Sequence, residues 1–261
     1  MTASDGVGLR LGVVRYLNAL PLEEGLENDP RVSVVVRAEP SELAHLLVRG
    51  ELDAVMGPVE ILVEHPDYCH VDGPVVACDG EVGTVLVHSR VPFEQIDRVR
   101  ADPASRTSNA LARQVLERLS HHPVEVGNFP DAPALVVIGD EAFAPSAPDH
   151  PHVLDLGLAW KQLTGLPFVF AAWIAVDDSI MDELTEIVEA AAARGLERLD
   201  EIAMASAPRI GISPERALDY LRHKLLHHMT EPMRQALQRY LATEREWRTA
   251  SRRRRGSATS S

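Results

Sequence analysis

Cysteine is scarce in this sequence: 261 residues carry two, Cys69 and Cys78, and neither stands in a Cys-x-x-Cys or Cys/His spacing. Neither a disulfide framework nor a zinc site is signalled, and both thiols read as reduced groups that pack as small hydrophobes. No His-Glu-x-x-His occurs, and the adjacent pairs His121-His122 and His227-His228 cannot aim both rings at one metal from a helix or a strand. Gly-x-Ser-x-Gly, the P-loop and Gly-x-Gly-x-x-Gly are absent as well, so hydrolase, nucleotide and nicotinamide readings have no motif behind them. No apolar run reaches the ~20 residues of a membrane span. Met1 to Gly8 is small and polar without a basic-then-apolar pattern, so we expect no secretory signal and a cytoplasmic protein. Positive charge is also in deficit, with 26 Lys and Arg against 39 Asp and Glu, a net charge of −13. That field repels phosphate backbones and anionic lipid, which argues against nucleic-acid and membrane partners. An anionic small molecule would have to be held by short-range donors such as helix N-termini and single arginines.

The length and the 45% apolar content allow one large core or two smaller ones. Leu9 to Val14 reads as a buried strand, and Tyr16-Leu17-Asn18-Ala19-Leu20-Pro21-Leu22 turns out of it into a helix through Leu26. Val32 to Val36 is a β-branched run, Ser41 is placed to cap a helix that stops at Gly50, and Leu52 to Met56 resumes as a strand. This alternation is the mark of βαβ units. A second set follows: a strand at Thr84 to His88, a helix from Ser105 to Leu119, and strands at Val124 to Val126 and Leu135 to Ile138. Asp155 to Gly165 reads as helix and Phe168 to Val176 as a long apolar strand returning to the first set. Three helical stretches then follow, about Ile180 to Met204, Pro214 to Met229 and Glu231 to Trp247, and the tail from Ser251 with Arg252 to Arg255 is expected to be disordered.

Two α/β sets followed by helices predict a two-lobed α/β protein with a ligand cleft where strand carboxyl ends and helix N-termini meet. We place lobe 1 at residues 1–86 and 174–250, lobe 2 at 87–173 and the tail at 251–261. Ser105-Arg106-Thr107-Ser108 offers hydroxyls and a guanidinium at a helix start whose free N–H groups favour an anion, although a plain helix cap would look the same. Asn18, at a strand end, can donate and accept without titrating, or merely shape a turn. Gly57-Pro58 ends the Leu52 strand, Thr84 sits where the chain enters the second lobe, and Gly139-Asp140 repeats a strand ending in glycine and a carboxylate. Asp140 can face the cleft or cap the next turn.

Taken in order and spacing, Tyr16 to Leu22, Gly57-Pro58-Val59, Ala77-Cys78-Asp79-Gly80, Ser105 to Ser108, Ile138 to Ala142 and Thr164 to Ala171 resemble the chorismate dehydratases of menaquinone biosynthesis by the futalosine route. The resemblance covers about Leu9 to Val176. It implies the type II periplasmic-binding-protein fold and loss of water from chorismate to give 3-[(1-carboxyvinyl)oxy]benzoate, with neither metal nor organic cofactor. It also implies that Asn18 and Thr84, the latter often serine in the family, are catalytic, and that Gly57, Pro58, Ser105, Arg106, Thr107, Ser108, Gly139 and Asp140 bind the substrate. Asn109 departs from the small aliphatic residue expected there. Two other readings remain open on the sequence: the sister lyase that cleaves cyclic dehypoxanthine futalosine, and a non-catalytic small-anion binding or sensing protein.

Overall fold

In the computed structural model, which describes residues 8–258, eleven strands form two sheets. The first sheet starts from β1 (Leu9–Val14), β2 (Val32–Ala38) and β3 (Ala54–Pro58), all parallel, with α1 (Pro40–Val48) as a crossover and the short α2 (Ile61–Glu64) after β3. β4 (Cys69–Cys78) completes the first pass, and β5 (Val85–Ser89) opens the second lobe. There β6 (Arg98–Arg100), α3 (Arg106–Ser120), β7 (Glu125–Gly127) and β8 (Ala134–Ile138) repeat the parallel pattern, followed by β9 (His152–Asp155) and α4 (Leu156–Thr164). β10 (Phe168–Ala175) returns to the first sheet. The chain closes with α5 (Met181–Glu197), α6 (Leu199–Ile210), α7 (Pro214–Asp219), a π-helical turn at Tyr220–Lys224, β11 (Leu226–His228) and α8 (Glu231–Ala258).

The two sheets have one plan. The first runs β11-β4-β10-β3-β1-β2 and the second β7-β6-β8-β5-β9. In each, three parallel strands are flanked by a crossing strand that pairs antiparallel to both neighbours: β10 between β3 and β4, and β5 between β8 and β9. This common topology has no counterpart in a visible sequence repeat. All pairings of β5 lie in the second sheet and all those of β10 in the first, so the expected lobe edges at 86 and 174 cut through strands. Sheet membership puts the crossings at 79–84 and 165–167.

Several local expectations shift for physical reasons. Glu39 rather than Ser41 stands at the N-cap of α1, because Pro40 supplies the pre-set φ of the first helical position. The segment after β1 is a 3-10 helix, Leu17–Leu22, with Pro21 inside it. The stretch from Ile180 to Met204 divides into α5 and α6 at Arg198, whose φ of −113° and ψ of 23° leave the helix. Pro214 to Met229 contains the π turn and β11 rather than one helix. The basic run expected to be disordered continues α8 through Ala258, as suits arginine's good helix propensity. Met1 to Val7 and Thr259 to Ser261, on which the leader and tail expectations partly fall, lie outside the described residues. Among the described residues no helix is long and apolar enough to cross a membrane.

Candidate active site

The carboxyl ends of β1, β3 and β8, and the loop from β6 into α3, converge between the lobes. They surround an inner chamber of about 50 Å³, well under the ~300 Å³ that ligand pockets usually offer. Its walls are largely apolar, including Val14, Val76, Val85, Ile138 and Phe170. The polar lining comes mainly from Asn18 on one side and Ser105, Thr107 and Ser108 on the other. Beyond Tyr16 and Ile138, which border both spaces, an open vestibule of about 1010 Å³ carries Arg15, Arg209 and Arg216 among its walls.

The start of α3 gathers hydrogen-bond donors. Ser105 caps the helix, its Oγ accepting the Ser108 N–H at 3.1 Å and donating to Ser108 Oγ at 2.9 Å. Thr107 Oγ1 accepts the Glu60 N–H at 3.3 Å. These bonds leave the Thr107 and Ser108 hydroxyl protons, together with the first backbone N–H groups of a fifteen-residue helix, to meet a negative group. Asn109, the departure from the expected pattern, pins the loop before the helix. Its side-chain amide donates to Asp102 O at 2.8 Å and accepts the Asp102 N–H at 3.0 Å. Arg106 turns out of the chamber. Its guanidinium meets Glu64 at 2.5 Å and His45 Nε2 at 2.8 Å, so the helix start and its hydroxyls, not this arginine, form the polar end of the inner chamber.

Asn18 faces the chamber, and its Oδ1 is buried without a hydrogen-bond partner among the described residues. Thr84 is 1% exposed and stands behind the wall formed by Val82 and Val85. Its Oγ1 lies 2.7 Å from the hydroxyl of Tyr220, in the π turn. Burial pushes the ionisation of that phenol up, so it remains neutral. Sequence reading missed Tyr220. It sits among residues with a helical apolar period, and only its polar tip marks it off from a core aromatic.

Pro58 lines the chamber, whereas Gly57 is held inside β3, where an added Cβ would stand 2.7 Å from the Val55 side chain. Gly139 lines it too and needs to be glycine twice over: its φ is +62°, and a Cβ would lie 2.9 Å from the Tyr16 ring of the facing lobe. Asp140 borders the vestibule, and its Oδ1 accepts the Leu17 N–H at 3.0 Å, capping the turn that carries Asn18. Burial raises its pKa, an effect the Leu17 N–H partly offsets. Ser41 N–H to Ala104 O at 3.1 Å is a further bond across the seam.

Behind the chamber, α8 lies against both lobes. Arg113 of α3 forms a buried ion pair with Glu244, and Arg248 reaches Glu60 at 2.5 Å and Glu64 at 3.1 Å. The Tyr240 hydroxyl donates to Glu60. Burial above all, and then the nearby Glu244 charge, raise the Glu60 pKa to about 7, against the pull of Tyr240 and Arg248.

A largely apolar chamber between two lobes of matching topology, set at strand carboxyl ends, defines a two-lobed protein of the type II periplasmic-binding-protein fold. Solved structures agree on the fold: a protein from Archaeoglobus fulgidus superposes with a TM-score of 0.70 at 14% identity, covering 93% of this chain and 98% of that one. The periplasmic aliphatic sulphonate binding protein of Escherichia coli does so with a TM-score of 0.59 at 15% identity, over 94% and 89% of the two chains. Residues 9–246 match the family model described as menaquinone biosynthesis, and the chain belongs to that family. It is 30% identical to the chorismate dehydratase of Thermus thermophilus, over 88% of this chain and 93% of that protein.

Proposed function

We propose that this protein is a chorismate dehydratase, a hydro-lyase that forms 3-[(1-carboxyvinyl)oxy]benzoate in the cytoplasm for menaquinone synthesis by the futalosine route. The observation that supports the reading is the pairing, across one largely apolar chamber, of a donor-rich helix start with the Asn18 side chain. Chorismate is a dicarboxylate whose ring bears one hydroxyl. In the dehydration the ring C–O bond to that hydroxyl breaks and the neighbouring ring carbon gives up its proton. The C–H electron pair becomes the third ring double bond, and hydroxide and proton leave as water. Aromatisation drives the step, so the protein's work is orientation and electrostatic stabilisation.

In this reading one carboxylate docks on the Thr107 and Ser108 hydroxyls and the free N–H groups of α3, and the Asn18 NH2 group donates a hydrogen bond to the oxygen of the departing hydroxyl, fixing its direction. The apolar walls enclose the ring and exclude water. Thr84 serves from behind the wall, and Gly139 and Asp140 set how closely the lobes approach. The net charge of −13 supports a small-molecule substrate over nucleic acid or membrane partners. Incubation of metal-stripped protein with chorismate, followed by chromatography and mass analysis, tests the assignment. We expect a product one water lighter than chorismate; intact chorismate after prolonged incubation would overturn it.

A further inference from the structure

The seam between the lobes holds a buried acid that the dehydration chemistry does not call for. Glu60 is 0% exposed and follows directly on β3. A carboxyl in that setting is costly to bury, and an apolar side chain of similar size would often be more stable there. Its backbone N–H donates to Thr107 Oγ1 of the other lobe at 3.3 Å, and the Tyr240 hydroxyl of α8 donates to its carboxyl. The same hydroxyl lies 3.5 Å from Thr107 O, so Tyr240 reaches both residues of the bond that crosses the seam. Its ring is 1% exposed and packs edge-on against Phe168 at 5.2 Å, which in turn meets Phe170, a wall of the chamber, at 4.8 Å.

We propose that Glu60 and Tyr240 are positioning residues for the substrate carboxylate and act through the hydroxyl of Thr107. The inference rests on the dehydration reading above. A threonine hydroxyl has one proton and two lone pairs. The Glu60 N–H is a donor, so it occupies a lone pair of Thr107 and leaves the proton free; because Thr107 lines the chamber, a bound carboxylate can take that proton as a hydrogen bond. The N–H keeps this aim only while the turn after β3 stays in place. Tyr240 on the Glu60 carboxyl, with Arg248 beside it at 2.5 Å, ties that turn to α8. Without the phenol oxygen the turn relaxes, and the Thr107 hydroxyl is free to rotate its proton away from the ligand. Neither Glu60 nor Tyr240 lines the chamber. A carboxylate contact of this kind is made in the ground state and the transition state alike, so its loss is read in KM and not in kcat.

Steady-state dehydration of chorismate by Tyr240→Phe, Glu60→Leu, Glu60→Gln, Thr107→Val and the Tyr240→Phe/Thr107→Val pair tests the link. Phenylalanine keeps the packing against Phe168 and removes one oxygen. We expect KM to rise roughly tenfold in Tyr240→Phe with kcat within about twofold, a similar rise in Glu60→Leu, and a KM within about threefold of wild type in Glu60→Gln, which still accepts the Tyr240 O–H. Thr107→Val should raise KM at least as far, and adding Tyr240→Phe to it should change KM by no more than about twofold, because the hydroxyl through which Tyr240 acts is already gone. A merely structural role would behave otherwise: poorer folding lowers the active fraction, and with it the apparent kcat, and leaves KM where it was. Wild-type KM in Tyr240→Phe, a fall in kcat in place of the rise in KM, or losses that multiply in the pair would overturn the proposal. Should Tyr240→Phe fold poorly, Glu60→Leu against Glu60→Gln carries the test, and unchanged KM in Glu60→Leu overturns it equally. Failure of the wild-type protein to dehydrate chorismate is a separate result that removes the functional reading and this inference with it.

Discussion

Glu60 gives a quantitative prediction. Its carboxyl is fully buried, receives the Tyr240 hydroxyl and Arg248, and lies close enough to Glu244 to feel its charge. Burial and that neighbour set its pKa at about 7 in the folded protein, against an ordinary 4.5. Below pH 4.5 both folded and unfolded chains hold the proton. Between 4.5 and 7 only the folded chain does, so its stabilising contribution is lost as pH rises and is gone once pH passes the folded value. Each unit is worth about 1.36 kcal/mol, so Glu60 should cost the protein about 2 to 3 kcal/mol between about pH 5 and about pH 8. In Tm this is roughly 5 to 10 °C for a chain of this size. Urea unfolding of wild type and Glu60→Gln at both pH values isolates the effect, because every other titrating group is common to the two. The glutamine variant should match wild type near the acidic value and exceed it near the basic one. Equal pH dependence in both proteins would refute the reasoning and mean that Arg248 keeps Glu60 ionised throughout.

Three further outcomes follow from the site. Asn18→Ala should lower kcat on the order of a hundredfold while changing KM little, read by product chromatography, since it removes an orienting contact and not the anion site. Arg106→Ala should leave chorismate affinity within about threefold by calorimetry, because its guanidinium is engaged by Glu64 and His45 outside the chamber; a large loss would place it on the ligand. Asp140→Ala removes the carboxylate that caps Leu17 across the seam, which at about 1 to 2 kcal/mol should raise KM roughly tenfold with kcat nearly kept.

Much of the lobe plan was legible because it rests on period and punctuation. The helix from Ser105, the helix from Asp155 to Gly165 and the strand from Phe168 each carry a cap or an unbroken apolar run, and the structure has them within a residue or two. β4 was not legible. Gly73 and Pro74 interrupt it, and proline normally argues against an interior strand. The structure admits it by a register shift against β10 on one side and a short, irregular pairing with β11 on the other. At the site, the asparagine turn and the hydroxyl-rich helix start were readable because each polar group follows directly on a predicted element boundary. Arg106 misled for the same reason: its place in sequence is right, but Glu64 and His45, about forty and sixty residues earlier, decide where its charge goes. Tyr220 lay beyond reach, since nothing local ties a residue of the C-terminal helices to Thr84. Gly195, inside α5, marks a close approach: a Cβ there would stand 2.0 Å from Pro21 O.

The absent side chain at position 139 works as a gauge. The Tyr16 ring of one lobe rests on bare backbone of the other, and one added methyl would stand between them like a wedge. Since the same backbone φ of +62° disfavours any side chain, the width of the shut mouth is fixed by a carbon atom that is not there. A variant carrying alanine here would be expected to idle ajar, its chamber wetted and its grip on a ring substrate slackened, with every polar group of the site still in place.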